Sequence, residues 1–483
     1  MTNSQADAPT EPDPRRWRAL AVTQAAGFMS LLDVSIVNVA LPSIRADLGA
    51  APGAAQWVVS GYALTFGLSL VAGGRLGDAL GRRRMFLIAL TGFVLTSVLA
   101  GAAPNLTWLV VARLSQGLAG GLLTPQNSGL IQDLFSGAER GRAFGVFGAT
   151  VGVSTAVGPV LGGLILAVFG DPEGWRWIFY VNLPIGLVAL ALAARLLPAR
   201  ASGGRPDIDV VGALLLGATV LAVLFPLVQA EDGGLSRLWW LFAVAVALGW
   251  LFLRWERRTA RRGRAPLLDT SLFTETPGYL AGAGVGLAYF SGFTGVWLVF
   301  ALFFQTGLGY TPWQSGLAVT PFAIGGAVSA AVAGRLVARY GRLITVVGLA
   351  LVAGGLAVVA GIALLGPGRA TGWWIALPML VAGVGGGAVI SPNTTMTLAR
   401  VPNRMAGVAG GVLQTGQRIG TAVGTATLAA IYQAVLGGSG DDYPLALAVA
   451  LAAAVALVLV ALLLAMRDRR ANRALDAAEV GAG

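Results

Sequence analysis

The sequence predicts an all-α polytopic membrane protein: two six-helix bundles with two further helices inserted between them, fourteen transmembrane helices in all. Three observations predict this. The 483-residue chain is 56% hydrophobic and 11% charged, with a mean hydropathy of +0.75, whereas a soluble globular chain is about a quarter charged. Its apolar residues gather into fourteen runs of roughly twenty residues or more, the length that crosses a bilayer as a helix. Arginine, the chain's only base, crowds into alternate loops, the asymmetry that sets the orientation of a membrane protein.

The elements follow in order. Residues 1–18 form a cytoplasmic tail, whose first fourteen are polar, rich in Pro, Asp and Glu, and predicted disordered. Arg15, Arg16 and Arg18 then precede the first apolar run. That run is long and no small-residue cleavage site follows it, so a cleaved signal peptide is not expected. The first bundle, 19–197, holds spans at 19–41, 56–75, 85–103, 107–131, 143–169 and 177–197. The insert and its cytoplasmic linker, 198–270, hold 208–229 and 237–255. The second bundle, 271–466, holds 279–304, 315–338, 343–365, 373–398, 406–435 and 444–466, and residues 467–483 form a second cytoplasmic tail. Several spans contain Gly and Pro, which membrane helices tolerate. With the N-terminus inside, Arg45, Arg176, Arg237 and Arg369 fall outside and Arg113 and Arg418 fall within spans, while every other arginine is inside. An even count returns the C-terminus, with its "RDRRANR", to the cytoplasm.

The halves repeat a motif. Residues 73–86 read "GGRLGDALGRRRMF" and 334–342 read "GRLVARYGR", each after the second helix of a six-helix block. Parallel repeats of this kind place a substrate site between the halves. The second copy has Ala338 where the first has Asp78. Cys and His are both absent, which excludes disulfides, thiol metal sites and the side chain best suited to proton exchange near neutrality. No GxxxxGK[ST] loop offers an ATP site. The net charge of +11 is placed in cytoplasmic loops rather than on a nucleic-acid face. The arginine bias with abundant Ala and Gly fits a GC-rich bacterial genome.

These residues carry a resemblance. "GRLGDALGRRRMF" resembles the signature loop of the major facilitator superfamily. "LDVSIVNVALP" (32–42), "RLSQGLAGG" (113–121) and "GVSTAVGPVLGG" (152–163) resemble the first-, fourth- and fifth-helix motifs of its drug:proton antiporter branch. "WRWIFYVNLPIG" (175–186) is similar to the fourteen-helix subgroup. The resemblance covers nearly the whole chain. It implies a conformational latch at Gly74, Asp78, Gly81, Arg82 and Arg83, and export by antiport through Gly152, Gly158, Pro159, Gly162 and Gly163.

Elementary chemistry supplies its own reading of the same residues. Asp78, near the inner end of the second helix, is able to cap or pair with neighbouring helix ends. Small residues four apart in the fifth span admit a close helix neighbour, and Pro159 removes a backbone donor and kinks it. Of 22 acidic residues, all but Asp33 lie in loops, tails or helix ends. A carboxylate at depth costs several kcal/mol unless paired or watered, so it reads as functional, against the plainer role of capping or pairing structurally. At 1.5 Å per residue, Asp33 lies about 12 Å below the outer end of its helix and Arg113 roughly 9 Å down the fourth. The two are expected to share a layer, with Asp33 as proton carrier and Arg113 tuning its proton affinity as the halves rock. One proton moving inward across about 100 mV gains roughly 2.3 kcal/mol, and one pH unit adds about 1.4 kcal/mol. No cofactor is expected.

A substrate pocket is expected from Tyr289, Phe293 and Trp297, one aromatic face of the ninth span that equally suits packing or lipid. Asn38, Gln116, Gln126, Asn127, Asn393 and Gln414 add polar groups. Arg418, the other deep charge, suits an anionic substrate group or a carbonyl. The expected protein is a monomeric, multi-pass carrier in a bacterial cytoplasmic membrane, exporting drugs or antibiotics against protons. The alternative is a physiological metabolite: a siderophore, amino acid or lipid-like compound. An intramembrane enzyme would want paired acids, a Ser/His set or metal ligands, and is not expected.

Overall fold

The computed structural model describes residues 14–170, 173–198, 209–229, 234–262, 266–269, 271–366, 368–402 and 405–481, with the side chains of 52, 53, 155, 156, 159, 312, 313 and 472–481 excepted. Residues 1–13, most of the expected N-terminal tail, and much of the 198–270 linker lie outside the described residues.

The first half comprises α1 (Arg16–Leu48), α2 (Pro52–Leu80), α3 (Arg82–Gly101), α4 (Leu106–Leu134), α5 (Gly137–Phe169) and α6 (Glu173–Leu196). The inserted pair is α7 (Val210–Val228) and α8 (Trp240–Arg261). The second half comprises α9 (Tyr279–Gly307), α10 (Pro312–Tyr340), α11 (Arg342–Leu365), α12 (Ala376–Leu398), α13 (Ala406–Ser439) and α14 (Tyr443–Gly481). Among the described residues there is no β-strand, and 12 helices are long and apolar enough to cross a membrane. α5 and α8 are outside that set, although both cover sequence-predicted spans. α8 carries Arg254, Glu256, Arg257, Arg258 and Arg261 in its last turns.

The helices outrun the apolar runs that predict them. α1 continues through Pro42 to Leu48 and stops at Gly49, whose φ of 58° is the left-handed conformation that ends helices. Asn105 caps α4 by accepting from the Trp108 N–H at 2.9 Å, and Thr311 and Gln314 form a capping box on α10. α9 departs from the expected unbroken helix at 279–304: it is interrupted at Thr294–Gly295 and ends in a π turn at Phe303–Gly307. The break lies where α13 comes closest, since a Cβ on Gly295 would fall 2.5 Å from the Gly424 carbonyl oxygen.

The packing repeats with the sequence. In the first half α2 packs on α4, α3 on α4 and α6, and α1 on α5 and α6. In the second, α10 packs on α12, α11 on α12 and α14, and α9 on α13 and α14. These are the same pairs shifted by eight helices. The seams between halves obey the same exchange: α2 against α13 mirrors α5 against α10, and α4 against α13 mirrors α5 against α12. The inserted α7 packs on both α2 and α13, bridging one seam from outside through Leu64, Val220 and Leu224.

Both seams are tight toward the arginine-rich ends of their helices. A Cβ on Gly74 would meet the Gly407 carbonyl oxygen at 2.2 Å, and one on Gly411 would meet that of Leu70 at 2.6 Å. Across the other seam, Gly145 and Gly334 face each other, with Gly141 beside Val337. Glycine at these places lets two backbones touch.

Candidate functional site

One polar layer lies inside the first half. Asp33 on α1 is 1% exposed and Arg113 on α4 is fully buried. The structure brings them together as an ion pair between Arg113 Nη1 and Asp33 Oδ2. The other carboxylate oxygen, Oδ1, accepts from Gln116 Nε2 and from Asn182 Nδ2, both at 3.1 Å. Arg113 also donates from Nε to the Val58 carbonyl at 2.9 Å and from Nη1 to Gln116 Oε1 at 2.7 Å. Its guanidinium lies 4.2 Å from the centre of the Tyr62 ring. Asn182 further donates to Ser97 Oγ at 3.0 Å, and Tyr62 donates to the Ser30 carbonyl at 3.1 Å. A buried charge persists only when its partner and hydrogen bonds replace water. Here α1, α2, α3, α4 and α6 all contribute to that replacement. Asn182, Ser97 and Tyr62 were not singled out from the sequence. The one available signal was Asn182's place in "WRWIFYVNLPIG", a polar residue inside an apolar run.

The glycines of α5 seat this layer. A Cβ on Gly158 would lie 2.0 Å from Ser35 Oγ, and one on Gly162 would lie 3.1 Å from Ile36. These two glycines are what let α5 close on α1 beside Asp33. Ser35 Oγ donates to the Ser154 carbonyl across the same contact at 3.2 Å. Gly152 and Gly163 have open space around them. Pro159's side chain lies outside the described residues.

A second charged cluster joins the halves. Asp78 Oδ1 and Oδ2 accept from the backbone N–H groups of Gly407 and Val408, each at 3.1 Å, at the N-terminus of α13. A carboxylate at that end is favoured by the unpaired N–H groups and the helix dipole. Arg82 holds Asp78 (Nη2 to Oδ1, 3.1 Å) and Asp133 (Nη1 to Oδ2, 2.7 Å), and donates to the Gly129 carbonyl. Arg83 donates to the Ala194 carbonyl at 2.5 Å. Gly81 turns the chain between α2 and α3 at φ 92°. The second half has a counterpart despite Ala338: Arg342 donates to Asp468 on α14 at 2.6 Å and to Asn393 Oδ1 at 2.5 Å.

The expected pocket residues separate. Tyr289, Phe293, Phe300 and Phe304 are buried in the core of the second half; Trp297 is half-buried and packs edge-on against Phe322. Asn393 is buried, with its amide donating to the Gly282 carbonyl at 3.0 Å. Gln126 is buried and donates to the Gly73 carbonyl at 2.7 Å. Asn127 is buried and makes no hydrogen bond among the described residues. Asn38 is exposed and donates to the Val34 carbonyl on its own helix at 3.2 Å. Gln414 donates to Ser128 Oγ across the seam at 3.0 Å, and Arg418 stands one turn beyond it, half-buried, 4.6 Å over the Phe66 ring.

A family model described as Major Facilitator Superfamily matches residues 25–425. The chain is 38% identical to a probable actinorhodin transporter of Streptomyces coelicolor, over 88% of this chain and 74% of that one. It is 32% identical to a tetracenomycin C resistance and export protein of Streptomyces glaucescens, over 97% and 83% of the two chains. It is 36% identical to a puromycin resistance protein of Streptomyces alboniger, over 86% and 82%. Among solved structures it is similar in fold to a proton:xylose symporter, at a TM-score of 0.64 and 15% identity over 92% of this chain and 94% of that one. The paired halves, the repeated loop and these matches lead to one assignment: the chain belongs to the major facilitator superfamily and is a transporter rather than an enzyme.

Proposed function

We propose that this chain exports amphiphilic drugs or antibiotics across the bacterial cytoplasmic membrane in exchange for protons, by alternating access. It would do so as a monomer with fourteen crossings, both termini in the cytoplasm and no cofactor. Three of its relatives are named for actinorhodin transport, tetracenomycin C export and puromycin resistance, which supports the substrate class. The observation that carries the mechanism is the buried Asp33–Arg113 pair. It is a titratable carboxylate at bilayer depth, released or held by a neighbouring cation, with Gly158 and Gly162 of α5 against the same turn of α1.

On this reading the arginine-rich side is cytoplasmic, and the structure is sealed there by Asp78 on α13 and by the paired glycines. Rocking the halves breaks that seal and shifts α1, α4 and α5 around Asp33. Its carboxyl then meets water and takes or loses a proton while Arg113 stays on the Val58 carbonyl. Asn393 and Gln126 we assign to helix packing on this basis, and Gln414 and Arg418 to the substrate cleft. Expression in an efflux-deficient host tests the reading. The parent chain raises the inhibitory concentration of at least one aromatic antibiotic, and Asp33→Asn, present in the membrane at equal level, does not. Resistance left intact by Asp33→Asn contradicts it.

A further inference from the structure

We infer that Arg418 makes the cleft selective for anions, so that the exported compounds are aromatic acids carrying a carboxylate, sulfonate or phenolate. The inference rests on the export reading and names its substrate class.

The observations concern one side chain. Arg418 lies twelve residues into α13, about 18 Å from its start at 1.5 Å per residue, which is near the middle of a bilayer. The three arginines buried among the described residues have acidic partners: Arg113 has Asp33, Arg82 has Asp78 and Asp133, Arg342 has Asp468. Arg418 has neither a carboxylate nor a hydrogen-bond acceptor among the described residues. Its guanidinium lies 4.6 Å from the centre of the Phe66 ring, on the opposite half. It is only half-buried, although it sits between two helices deep in the fold. An unpaired guanidinium at that depth is costly unless it faces water or a counter-ion, and a fork of free N–H donors matches an oxyanion in shape as well as charge.

The surroundings favour an aromatic anion over a bare one. Successive contacts along α2 and α13 run from Gly74–Gly407 through Leu70–Gly411 to Phe66–Arg418. Phe66 stacks on Tyr62 with ring centres 5.8 Å apart, and Tyr62 carries Arg113 on its face at 4.2 Å. Two cations thus flank a pair of aromatic rings. The half-buried Gln417 and Thr421 on the same helix add neutral hydrogen-bonding groups and no acid. Arg113 is balanced by Asp33, so the uncompensated charge is that of Arg418, which repels a cationic compound and attracts an anion. A lipid phosphate lies at the membrane surface, roughly 15 Å from the level of a mid-bilayer residue, too far to serve as the resident partner.

Two fluorescent probes of one skeleton test this: 1-anilinonaphthalene-8-sulfonate, an anion, and N-phenyl-1-naphthylamine, its neutral parent. Saturable binding is measured to purified full-length protein in phosphatidylcholine nanodiscs, against empty discs. The parent chain is expected to bind the anion at least tenfold tighter than the neutral compound. Arg418→Gln is expected to lose that preference, its anion affinity falling at least tenfold more than its neutral affinity, and Arg418→Lys to keep part of it. Equal binding of both probes by the parent overturns the inference, as does a preference that survives Arg418→Gln. So does an equal loss of both probes in Arg418→Gln and Arg418→Lys, which would mark a packing role. An anion preference abolished by phosphatidylglycerol in the discs would make a headgroup the occupant and overturn it too. This assay needs no proton flux. It fails separately from the Asp33 resistance test, which reads coupling whatever the substrate's charge.

Discussion

At the scale of single residues, the mechanism turns on how the first half holds Asp33. Its two oxygens take three donors: Arg113 and Gln116 from one turn of α4, and Asn182 from α6. Removing Arg113 by Arg113→Ala leaves an uncompensated buried carboxylate, at a cost of about 3–5 kcal/mol. That variant is expected to express poorly or melt far below the parent. Asn182→Leu removes one donor from Asp33 and one from Ser97, which keeps its bond to the Phe179 carbonyl at 2.9 Å, and costs about 1–3 kcal/mol. The expected readout is a lower melting temperature in detergent, with the double change Asn182→Leu and Asp33→Asn losing less than the sum of the two. Additive losses would mean that the two side chains do not act as a unit. Asp33 was legible because it is the one acid far from any helix end, and Arg113 because helical rise puts it at the same depth. Asn182, Ser97 and Tyr62 were not legible. Nothing in a linear sequence says which faces of α2, α3 and α6 turn toward α1.

At the scale of elements, the seal between halves depends on one carboxylate at one helix end. Asp78→Asn keeps the shape but gives up charge at the α13 N-terminus and the partner of Arg82. We expect the sealed state to lose about 1–2 kcal/mol, roughly a tenfold shift in population. Gly74→Leu should act more strongly, because its side chain must displace the Gly407 carbonyl. The chain has no native cysteine, so a disulfide pair placed across the α2–α13 seam reads this directly: cross-linking should fall in both variants. The first-half loop was readable from "GRLGDALGRRRMF" and its second copy from "GRLVARYGR", but the ion pair at the second copy was not. Ala338 hides it, and the acid that replaces Asp78 is Asp468, supplied by a helix 126 residues further on. The inserted pair has its own pH signature. Glu256, one residue past the predicted span end, accepts from the Leu268 N–H at 2.9 Å and lies near Asp209, which caps α7 through the Gly212 N–H at 2.8 Å. Burial first, then the Asp209 charge, raises its pKa from 4.5 to about 7. Between those values the folded protein holds a proton that the unfolded chain has lost, so stability from this group is greatest in acid and falls as pH rises to about 7. Melting curves from pH 5 to 8 should show that decline in the parent and a flatter profile in Glu256→Gln.

At the scale of the whole molecule, the fold is a repeat that meets itself. The five helix pairings within one half recur in the other, and the two main helix contacts of each seam exchange with those of the other. Two bundles held by such seams rock about them more easily than either bundle deforms, which is the physical content of alternating access. This architecture was legible from span count, arginine placement and the duplicated loop. The interruption of α9 was not, because it follows from where α13 presses on Gly295. With an acidic substrate, one-for-one exchange moves two charges inward per cycle, since an anion leaves as a proton enters. Each 100 mV of potential then contributes about twice the 2.3 kcal/mol due to a single charge. Reconstituted protein should accordingly give an inward current on addition of the anionic probe.

The central claim, that Asp33 carries the proton, meets its most direct test in proteoliposomes loaded with a pH-sensitive dye. The exported compound is the antibiotic giving the largest resistance shift. Adding it to the parent protein should move protons in the opposite direction. Asp33→Asn should move none while still exchanging labelled for unlabelled compound across the membrane. Proton flux of normal size in Asp33→Asn would contradict the account.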